Sequence, residues 1–514
     1  MSKLLGKLVS RFFIISLIII LQMIWIFDLF YNASMTNQIF NVILRISALI
    51  VALYIANRQM KVYIKLSWIF LILFLPIVGI PCFFFFGRPE LTVKTQKKMR
   101  NIVEKHRKYI VRNEKVELKL KENNEDVYRQ CIHNSNGFKY PVYQEDTVKY
   151  FDFCEKAYES MLVDLKNASK FIFMEYFIIG QGKMFDEILE ILCEKVKQGV
   201  KVRIIFDDFG SINVTPVGFD KKLRKLGIEA CSFNPYKPFL SVIMNDRDHR
   251  KIMVIDGEIA YTGGFNIADE YINKIERFGY WKDAGIRVTG DCVNSFTLMF
   301  LEMWSYINRL SEVETEYISQ KNEYLLPDSD KKKGFVQPFC DSPLESDNTC
   351  ENAYIGMIYR ACKYVYFFTP YLILSSELSN ALIVAAKSGV DVRIVVPNIP
   401  DKKLIYIQTK SNFKQLVKAG VKIYKYKPGF IHSKCCVSDD IAAIVGTCNL
   451  DFRSFYWNFE DMVYMYNCDA VLDVKKDALN TFDESIIVTR EECDNQNIVV
   501  DVIQSILQLF APLL

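Results

Sequence analysis

Residues 249–256 read HRKIMVID, and after six further residues 263–266 read GGFN. Residues 432–439 read HSKCCVSD, and after six further residues 446–449 read GTCN. Both stretches follow the pattern H-x-K-x4-D-x6-G-[GT]-x-N. The chain has only four histidines, and two of them, His249 and His432, open these stretches. One copy alone would suit a strand with polar residues at its edge, but the two copies together indicate a functional site.

The spacing within each copy predicts which side chains lie together. His249 and Lys251 are two positions apart, as are His432 and Lys434, so each pair points to one face of a strand. The other recurring members of the pattern that we expect at the site are Gly263, Gly446, Asn266 and Asn449. The glycines predict a tight turn close to a ligand, and the asparagines add amide donors at the same rim. Two imidazoles and several donors suit a phosphate group.

The similarity between the two halves extends beyond these motifs. The matching segments are 168–173 with 361–366, 199–205 with 389–395, and 225–228 with 418–421. The offset stays near 183 to 193 residues, so the sequence predicts two homologous lobes. In each lobe an apolar strand (171–178; 364–368) precedes an amphipathic helix (185–197; 378–387), and strand and helix then continue to alternate. We therefore expect an α/β fold with a mixed, largely parallel sheet flanked by helices in each lobe.

The composition divides the chain into five predicted segments. They are an apolar N-terminal region (1–90), a charged linker or exposed helix (91–140), a first lobe (141–310), a polar linker (311–335) and a second lobe (336–514). The apolar end, 498–514, favours a helix that closes the core over one that contacts a membrane.

Three apolar runs, 12–30, 39–57 and 68–86, favour a membrane anchor over a cleaved signal peptide. The third contains Pro76, Gly79 and Pro81, which interrupt a helix, so it either spans or re-enters. Lys and Arg precede the first run and follow the second and third, whereas the loop 32–38 has neither. Two spans with a re-entrant third segment satisfy this distribution, which predicts a multi-pass membrane protein with cytoplasmic lobes.

The composition also excludes several classes of protein. The net charge of +4 is small and the basic residues are dispersed, which argues against a nucleic-acid partner. The fourteen cysteines are scattered without metal-binding spacing, and we expect buried free thiols rather than a disulfide framework. No metal and no cofactor are predicted, and the oligomeric state stays open.

The motif residues resemble the HKD motifs of the phospholipase D superfamily. The flanking segments 174–178 (MEYFI), 207–211 (DDFGS), 263–268 (GGFNIA), 449–455 (NLDFRSF) and 510–514 (FAPLL) are similar to those of its bacterial cardiolipin synthases, as is Arg247 two residues after Asn245. The resemblance implies two phospholipase D-like lobes with both motifs in one cleft. Gly264 and Thr447 stand where many members of the superfamily have serine.

The chemistry of a phosphodiester assigns roles to these residues. Its anionic oxygens must be neutralised, a nucleophile must attack phosphorus, and the leaving oxygen must be protonated. We expect the lysines and asparagines to neutralise charge, His249 to form a phosphohistidine, and His432 to act as acid and base; the symmetric motifs leave the reverse assignment open. Asp283 and Glu460 are predicted to orient the imidazoles, and surface carboxylates are the alternative. Asp256 and Asp439 complete the predicted catalytic set, although they could brace the strands instead.

The resemblance implies transfer of a phosphatidyl group from one phosphatidylglycerol to another, which gives cardiolipin and glycerol. The predicted partners are therefore membrane phospholipids. Two alternatives remain at this point. One is a membrane phospholipase D or a phosphatidyltransferase with another donor or acceptor, and the other is a catalytically dead membrane scaffold.

Overall fold

A computed structural model describes residues 20–24, 35–58, 60, 62–87, 93–110, 112–135, 140–144, 148–235, 246–319, 334–344, 347–495 and 497–511. Most of the first predicted apolar run and most of the predicted linker 311–335 lie outside these residues. The chain divides into two compact units. One comprises 1–96, 235–246 and 502–514, and the other comprises 97–234 and 247–501, so both predicted lobes belong to a single unit.

The described helices are α1 (Met35–Ala56), α2 (Val62–Phe74), α3 (Pro76–Phe86), α4 (Val93–Arg107), α5 (Glu114–Asn123), α6 (Glu125–Asn134), α7 (Cys154–Asn167), α8 (Lys183–Lys197), α9 (Asp208–Ser211), α10 (Phe219–Lys225), α11 (Val293–Asn308), α12 (Thr349–Arg360), α13 (Ser376–Lys387), α14 (Lys403–Ser411), α15 (Phe413–Ala419), α16 (Phe452–Tyr456), α17 (Asp469–Asp483), α18 (Arg490–Asp494) and α19 (Ile498–Phe510). A 3₁₀ turn covers Thr315–Tyr317.

The described strands are β1 (Tyr143–Gln144), β2 (Lys149–Phe151), β3 (Phe171–Tyr176), β4 (Lys201–Asp207), β5 (Glu229–Phe233), β6 (Arg247–Asp248), β7 (Lys251–Ile255), β8 (Ile259–Gly263), β9 (Tyr280–Lys282), β10 (Gly285–Thr289), β11 (Phe335–Asp341), β12 (Tyr364–Phe368), β13 (Asp391–Pro397), β14 (Lys422–Tyr426), β15 (Gly429–Ile431), β16 (Cys435–Ser438), β17 (Ala442–Gly446), β18 (Asn458–Tyr466) and β19 (Ser485–Ile487).

The smaller unit is built from apolar helices. Within α1, Gln38–Ala56 is 19 residues long with a mean hydropathy of 2.2, and it is the only described helix long and apolar enough to cross a membrane. At about 1.5 Å per residue it is close to the thickness of a hydrocarbon core. The third apolar run is interrupted, as its proline residues predicted. Helix α2 ends at Phe74 and α3 starts at Pro76, so each is too short to span by itself.

Each lobe contains one mixed sheet. The first sheet has the order β2-β10-β8-β7-β3-β4-β5, and the second includes the order β11-β18-β17-β16-β12-β13-β14-β19. In the first sheet only β3–β4 and β4–β5 are parallel, and in the second only β12–β13 and β13–β14 are parallel along this order. The sheets are mixed, as predicted, but the expectation that they are largely parallel is wrong. The motif strands enter as antiparallel hairpins, β7–β8 and β16–β17, because their connections are too short for a crossover.

The two lobes share strands and a core. Strand β9 of the first lobe pairs with β15 of the second, and β6 of the first pairs with β18 of the second. One continuous cluster of buried apolar side chains contains Phe173 and Ile252 as well as Val365 and Cys436. Strand pairs that cross between the lobes therefore lie next to both motif histidines.

The charged segment 91–140 forms three helices rather than an extended linker. Helices α5 and α6 bury Val116, Leu120, Val127 and Cys131 in the core that the lobes share. Strand β1, which the sequence places in the first lobe, pairs with β11 at the edge of the second sheet. The segment predicted as the first lobe therefore contributes a strand to the second sheet.

The helix predicted at the C-terminus is present as α19, but it does not close the lobe core. Apart from its first turn it belongs to the unit of apolar helices, where Ser67 Oγ donates to Leu509 O at 2.6 Å and the rings of Phe70 and Phe510 meet edge to face. Ile498, Val499, Val502, Ile503 and Ile506 are exposed along it. The sequence correctly predicts a helix here, whereas the interpretation as a core helix is wrong.

Candidate active site

His249 lies between β6 and β7 and is held by the second lobe. Its backbone N–H donates to Phe459 O at 2.9 Å. Its ring nitrogen Nδ1 lies 2.8 and 3.0 Å from the two carboxylate oxygens of Glu460. The buried Glu460 in turn accepts hydrogen bonds from Thr447 Oγ1 at 2.5 Å and Asn458 Nδ2 at 3.1 Å. Both the backbone and the ring of the first motif histidine are therefore positioned by β18.

His432 follows β15 and is held by the first lobe in the same way. Its backbone N–H donates to Lys282 O at 2.7 Å, and Nδ1 lies 2.6 Å from Asp283 Oδ2. The rings of Tyr271 and Trp281 lie 5.5 and 5.3 Å from the imidazole, centroid to centroid. Each histidine thus takes its carboxylate from the opposite lobe, and the Nε2 atom of each ring is left for a substrate.

The two lysines are buried beside the histidines. Lys251 Nζ donates to His249 O at 2.6 Å, and Lys434 Nζ donates to His432 O. Burial lowers the pKa of Lys251 to about 8 and that of Lys434 to about 7. Lys434 Nζ also lies 2.8 Å from His432 Nδ1, but that nitrogen has one hydrogen-bonding direction and the Asp283 carboxylate occupies it.

The two motifs form one electrostatic cluster. Burial and the lysine charges together lower the pKa of both histidines, to about 3 for His432. The charge of Lys434 lowers the pKa of His249, and the charge of Lys251 lowers the pKa of His432. Each ammonium group therefore affects the histidine of the other motif. The site therefore favours neutral imidazoles, and its two lysines supply positive charge, as binding of a phosphate group requires.

The orienting carboxylates differ in charge. Burial raises the pKa of Glu460 to about 7, although Lys251 and the hydrogen bond from Thr447 oppose that shift. Burial acts on Asp283 as well, but the charge of Lys434 and the hydrogen bond with His432 outweigh it and hold the pKa of Asp283 below its ordinary value. At neutral pH the partner of His432 is a full carboxylate, whereas the partner of His249 is partly protonated.

The motif asparagines and glycines make contacts with other parts of the protein. Asn266 accepts from Ile178 N at 3.0 Å, and Asn449 donates to Asp451 at 3.2 Å. A methyl group on Gly263 would collide with Ala284 O, and one on Gly446 would collide with Asp461 O. These glycines are therefore needed for the close approach of neighbouring strands, whereas the sequence predicted close approach to a ligand.

Asp256 and Asp439 lie at the opposite ends of their strands from the motif lysines. Asp256 accepts from the backbone N–H groups of Ser169, Lys170 and Phe171 at 2.7 to 2.9 Å. Asp439 accepts in the same way from the backbone of residues 362–364 at 2.6 to 2.9 Å. These contacts favour the bracing alternative for both aspartates, because the carboxylates fasten the starts of β3 and β12; their catalytic role stays a prediction.

A buried charge network below His249 was missed by the motif pattern. Arg250 pairs with Glu175 at 2.6 Å and with Asp248 at 3.3 Å, and all three side chains are at most 1% exposed. Asp461 accepts from Lys251 N at 3.0 Å and from Thr262 Oγ1. Burial raises the pKa of Asp461 to about 7. The available signal was a single carboxylate within an apolar strand, as Glu175 is within FIFMEY.

The chain is similar to known proteins over most of its length. The family model described as "Cardiolipin synthase, PLD-like domain" matches 161–277 and 354–483, and one described as "Phospholipase_D-nuclease N-terminal" matches 43–88. "Cardiolipin synthase 1" of Staphylococcus aureus (strain COL) is 35% identical over 87% of this chain and 91% of its own length. "Cardiolipin synthase" of Geobacillus kaustophilus is 31% identical over 93% of this chain and 94% of its own.

Among solved structures, a phosphatidylserine synthase of Haemophilus influenzae superimposes with a TM-score of 0.55. The alignment covers 76% of this chain and 98% of that protein, at 15% sequence identity. This likeness shows a common fold.

Proposed function

The chain belongs to the phospholipase D-like cardiolipin synthases, a family of phospholipid phosphatidyltransferases, and from that premise we propose the reaction and the role of each residue. The donor and the acceptor are both phosphatidylglycerol, and the products are cardiolipin and glycerol. The observation that carries the proposal is the crossed pair of hydrogen bonds, His249 with Glu460 and His432 with Asp283.

In the first step Nε2 of one imidazole attacks the phosphorus of phosphatidylglycerol. A P–N bond forms, the P–O bond to the glycerol headgroup breaks, and the other histidine gives its proton to the departing oxygen. In the second step the neutral second histidine takes a proton from the headgroup hydroxyl of another phosphatidylglycerol. That oxygen attacks phosphorus, the P–N bond breaks, and cardiolipin leaves. Lys251 and Lys434 balance the negative charge of the phosphate groups of the two lipids.

The different carboxylates support His249 as the nucleophile. A nucleophilic imidazole must be neutral, and the partly protonated Glu460 stabilises an imidazolium poorly. A general acid must carry a proton, and the ionised Asp283 stabilises that state on His432. The negative charge of a bound phosphate group raises the pKa of His432 from the low value that burial gives it.

The membrane unit fits substrates that stay in a bilayer. Helix α1 is a candidate membrane span, and the exposed apolar residues of α19 would face the interface between lipid and water. The proposed topology is multi-pass with cytoplasmic lobes, on the basis of the Lys and Arg distribution. A protease added to inverted vesicles should cleave the lobes, and cleavage only in right-side-out vesicles would refute this orientation.

Purified full-length protein incubated with phosphatidylglycerol alone tests the reaction. Cardiolipin and free glycerol should appear in equal amounts, and His249→Ala and His432→Ala should each lower the rate at least a thousandfold. His133→Ala, a change of a histidine on α6 outside the site, is the matched control and should retain activity. Phosphatidic acid as the main product would indicate a hydrolase instead.

In acid-quenched reactions the labelled phosphopeptide should contain His249, and a label on the peptide of His432 would reverse the two roles.

A further inference from the structure

A second polar cavity lies between α4 and the segment that follows α11. Its volume is about 170 Å³, and it shares no lining residue with the histidine site. The polar residues that line it are Lys98, Asn101, Lys105, His106, Ser305, Ser311 and Glu312. About 10–15 Å³ of such space admits one water molecule, so the cavity has room for a group of several heavy atoms.

Two buried polar atoms at this cavity lack a protein partner. His106 is 2% exposed, and its Nδ1 lies 2.8 Å from Ile102 O, so Nδ1 carries a hydrogen. Its Nε2 has no hydrogen-bond partner among the residues that the structure describes. Ser305 is also 2% exposed, and its Oγ is likewise unpartnered within the described part of the chain. Buried polar atoms cost free energy unless something bonds to them, so both point to an occupant.

Two ammonium groups border the same space. Lys98 Nζ donates to Tyr306 O and Lys105 Nζ donates to Ser311 O, both at 2.7 Å. Each ammonium group has three hydrogens and donates one of them to a carbonyl, so the other two can bind a ligand. Glu312 is the only carboxylate in the described lining, and Glu314 nearby is neutralised by Arg203 at 2.6 Å. The net charge of the side chains at the cavity is therefore positive.

We propose that this cavity binds a phosphate group, which Lys98, Lys105, Ser305 Oγ and the protonated Nε2 of His106 hold together. Four donors converging on one small space suit the several acceptor oxygens of that group. The group comes either from the headgroup of an anionic phospholipid or from free phosphate. This site is separate from the histidine site and does not depend on the proposed reaction.

Binding at this site consumes a proton. Burial lowers the pKa of His106. A bound anion stabilises the imidazolium and raises that pKa, so binding is tighter at pH 6 than at pH 8. The charged groups that face His106 and the cavity are Lys98, Lys105, Arg309, Glu312 and Glu314.

Calorimetric titration of the full chain in a neutral detergent with inorganic phosphate tests the proposal. The variant Lys98→Met/Lys105→Met should bind one phosphate fewer per chain than the control Lys97→Met/Lys108→Met, which carries the same charge change outside the cavity. His106→Gln keeps an amide donor but does not titrate, so phosphate binding should persist with only the pH dependence that the second ionisation of phosphate itself causes. His106→Phe should abolish binding at this site.

The source of the phosphate group is tested by competition with short-chain phosphatidylglycerol and short-chain phosphatidylcholine. Displacement of phosphate by phosphatidylglycerol alone identifies an anionic headgroup, and no displacement by either lipid identifies free phosphate. Equal phosphate stoichiometry in the cavity and control double variants would overturn the proposal. Failure of cardiolipin synthesis would leave this result unaffected, because binding and not turnover is measured.

Discussion

Gly264 and Thr447 occupy the same position in the two motifs. Gly264 lies beside Asp283, and Thr447 lies beside Glu460. A methyl group on Gly264 would collide with Asp283 Oδ1 and would lie 2.9 Å from His432 O. In the second motif the hydroxyl of Thr447 instead donates to Glu460 and accepts from Asp461 N at 2.9 Å. The shorter carboxylate thus goes with glycine and the longer one with a hydroxyl donor. This pairing distinguishes the two otherwise symmetric halves of the site.

Thr447→Val is expected to shift the pH dependence of catalysis. The ionised Glu460 accepts from His249 Nδ1–H, which leaves the lone pair of Nε2 for attack. The hydrogen bond from Thr447 lowers the pKa of Glu460, so its loss raises that pKa further above 7. A hydrogen bond to a charged group contributes about 1.5–3 kcal/mol, so kcat at pH 7 should fall roughly tenfold or more.

The measurement is kcat between pH 6 and pH 9. The acid limb of the variant should move to higher pH, with partial recovery at pH 9. Thr297→Val is the matched control, because Thr297 is buried in α11 and donates only to Val293 O. A uniform loss at every pH would show that Thr447 acts through packing and not through Glu460.

At the scale of the elements, the aspartates of the two motifs fasten one strand to another. Asp256 has a left-handed backbone with φ of +57° at the end of β7, and its carboxylate receives the first backbone N–H groups of β3. Asp439 repeats this arrangement with φ of +55° at the end of β16. Aspartate and asparagine tolerate this backbone region better than most residues do. The spacing that the two copies share is therefore required by folding as well as by chemistry.

Asp256→Ala should destabilise the protein without a comparable effect on catalysis. It removes the acceptor of three backbone donors, which costs about 2–4 kcal/mol of unfolding free energy. Asp256→Asn keeps one acceptor oxygen and should lose less. Thermal unfolding gives the stability, and kcat well below the transition should stay within about twofold of the original. A large fall in kcat at unchanged Tm would restore the catalytic role that the sequence predicted for Asp256.

The sequence predicted individual elements better than their partners. Strand β12 spans the predicted residues 364–368, and α8 begins two residues before the predicted 185. Hydrophobic periodicity shows that a face is buried, but not what covers it. That is why the sequence favours a place in the lobe core for α19 and a linker or an exposed helix for 91–140. The direction of the strands was missed for a similar reason, since alternation of strands and helices hides a short hairpin such as β7–β8.

At the scale of the whole molecule, the two lobes are joined through buried polar contacts as well as apolar ones. Asp477 of the second lobe accepts from Lys282 Nζ and from Tyr150 Oη of the first, both at 2.7 Å. Lys282 also supplies the carbonyl that holds the backbone of His432. The sequence repeat predicted two lobes, and the family resemblance implied a shared cleft, but a repeat cannot reveal contacts made between dissimilar positions. Stability and catalysis therefore depend on the same interface.

Lys282→Met should destabilise both lobes together. It leaves Asp477 buried without its cationic partner, and breaking a buried pair in this way costs about 3–5 kcal/mol. Hydrogen exchange followed by mass spectrometry during denaturant unfolding can monitor β3 and β12 separately. Because the lobes share one core, the midpoints of peptides from both strands should fall by the same amount. Lys156→Met, which breaks an exposed pair with Asp152, is the matched control and should change stability by less than about 1 kcal/mol. A shift confined to the peptides of β3 would mean that the lobes unfold independently, and the crossed histidine–carboxylate pairs would then have to form after each lobe has folded.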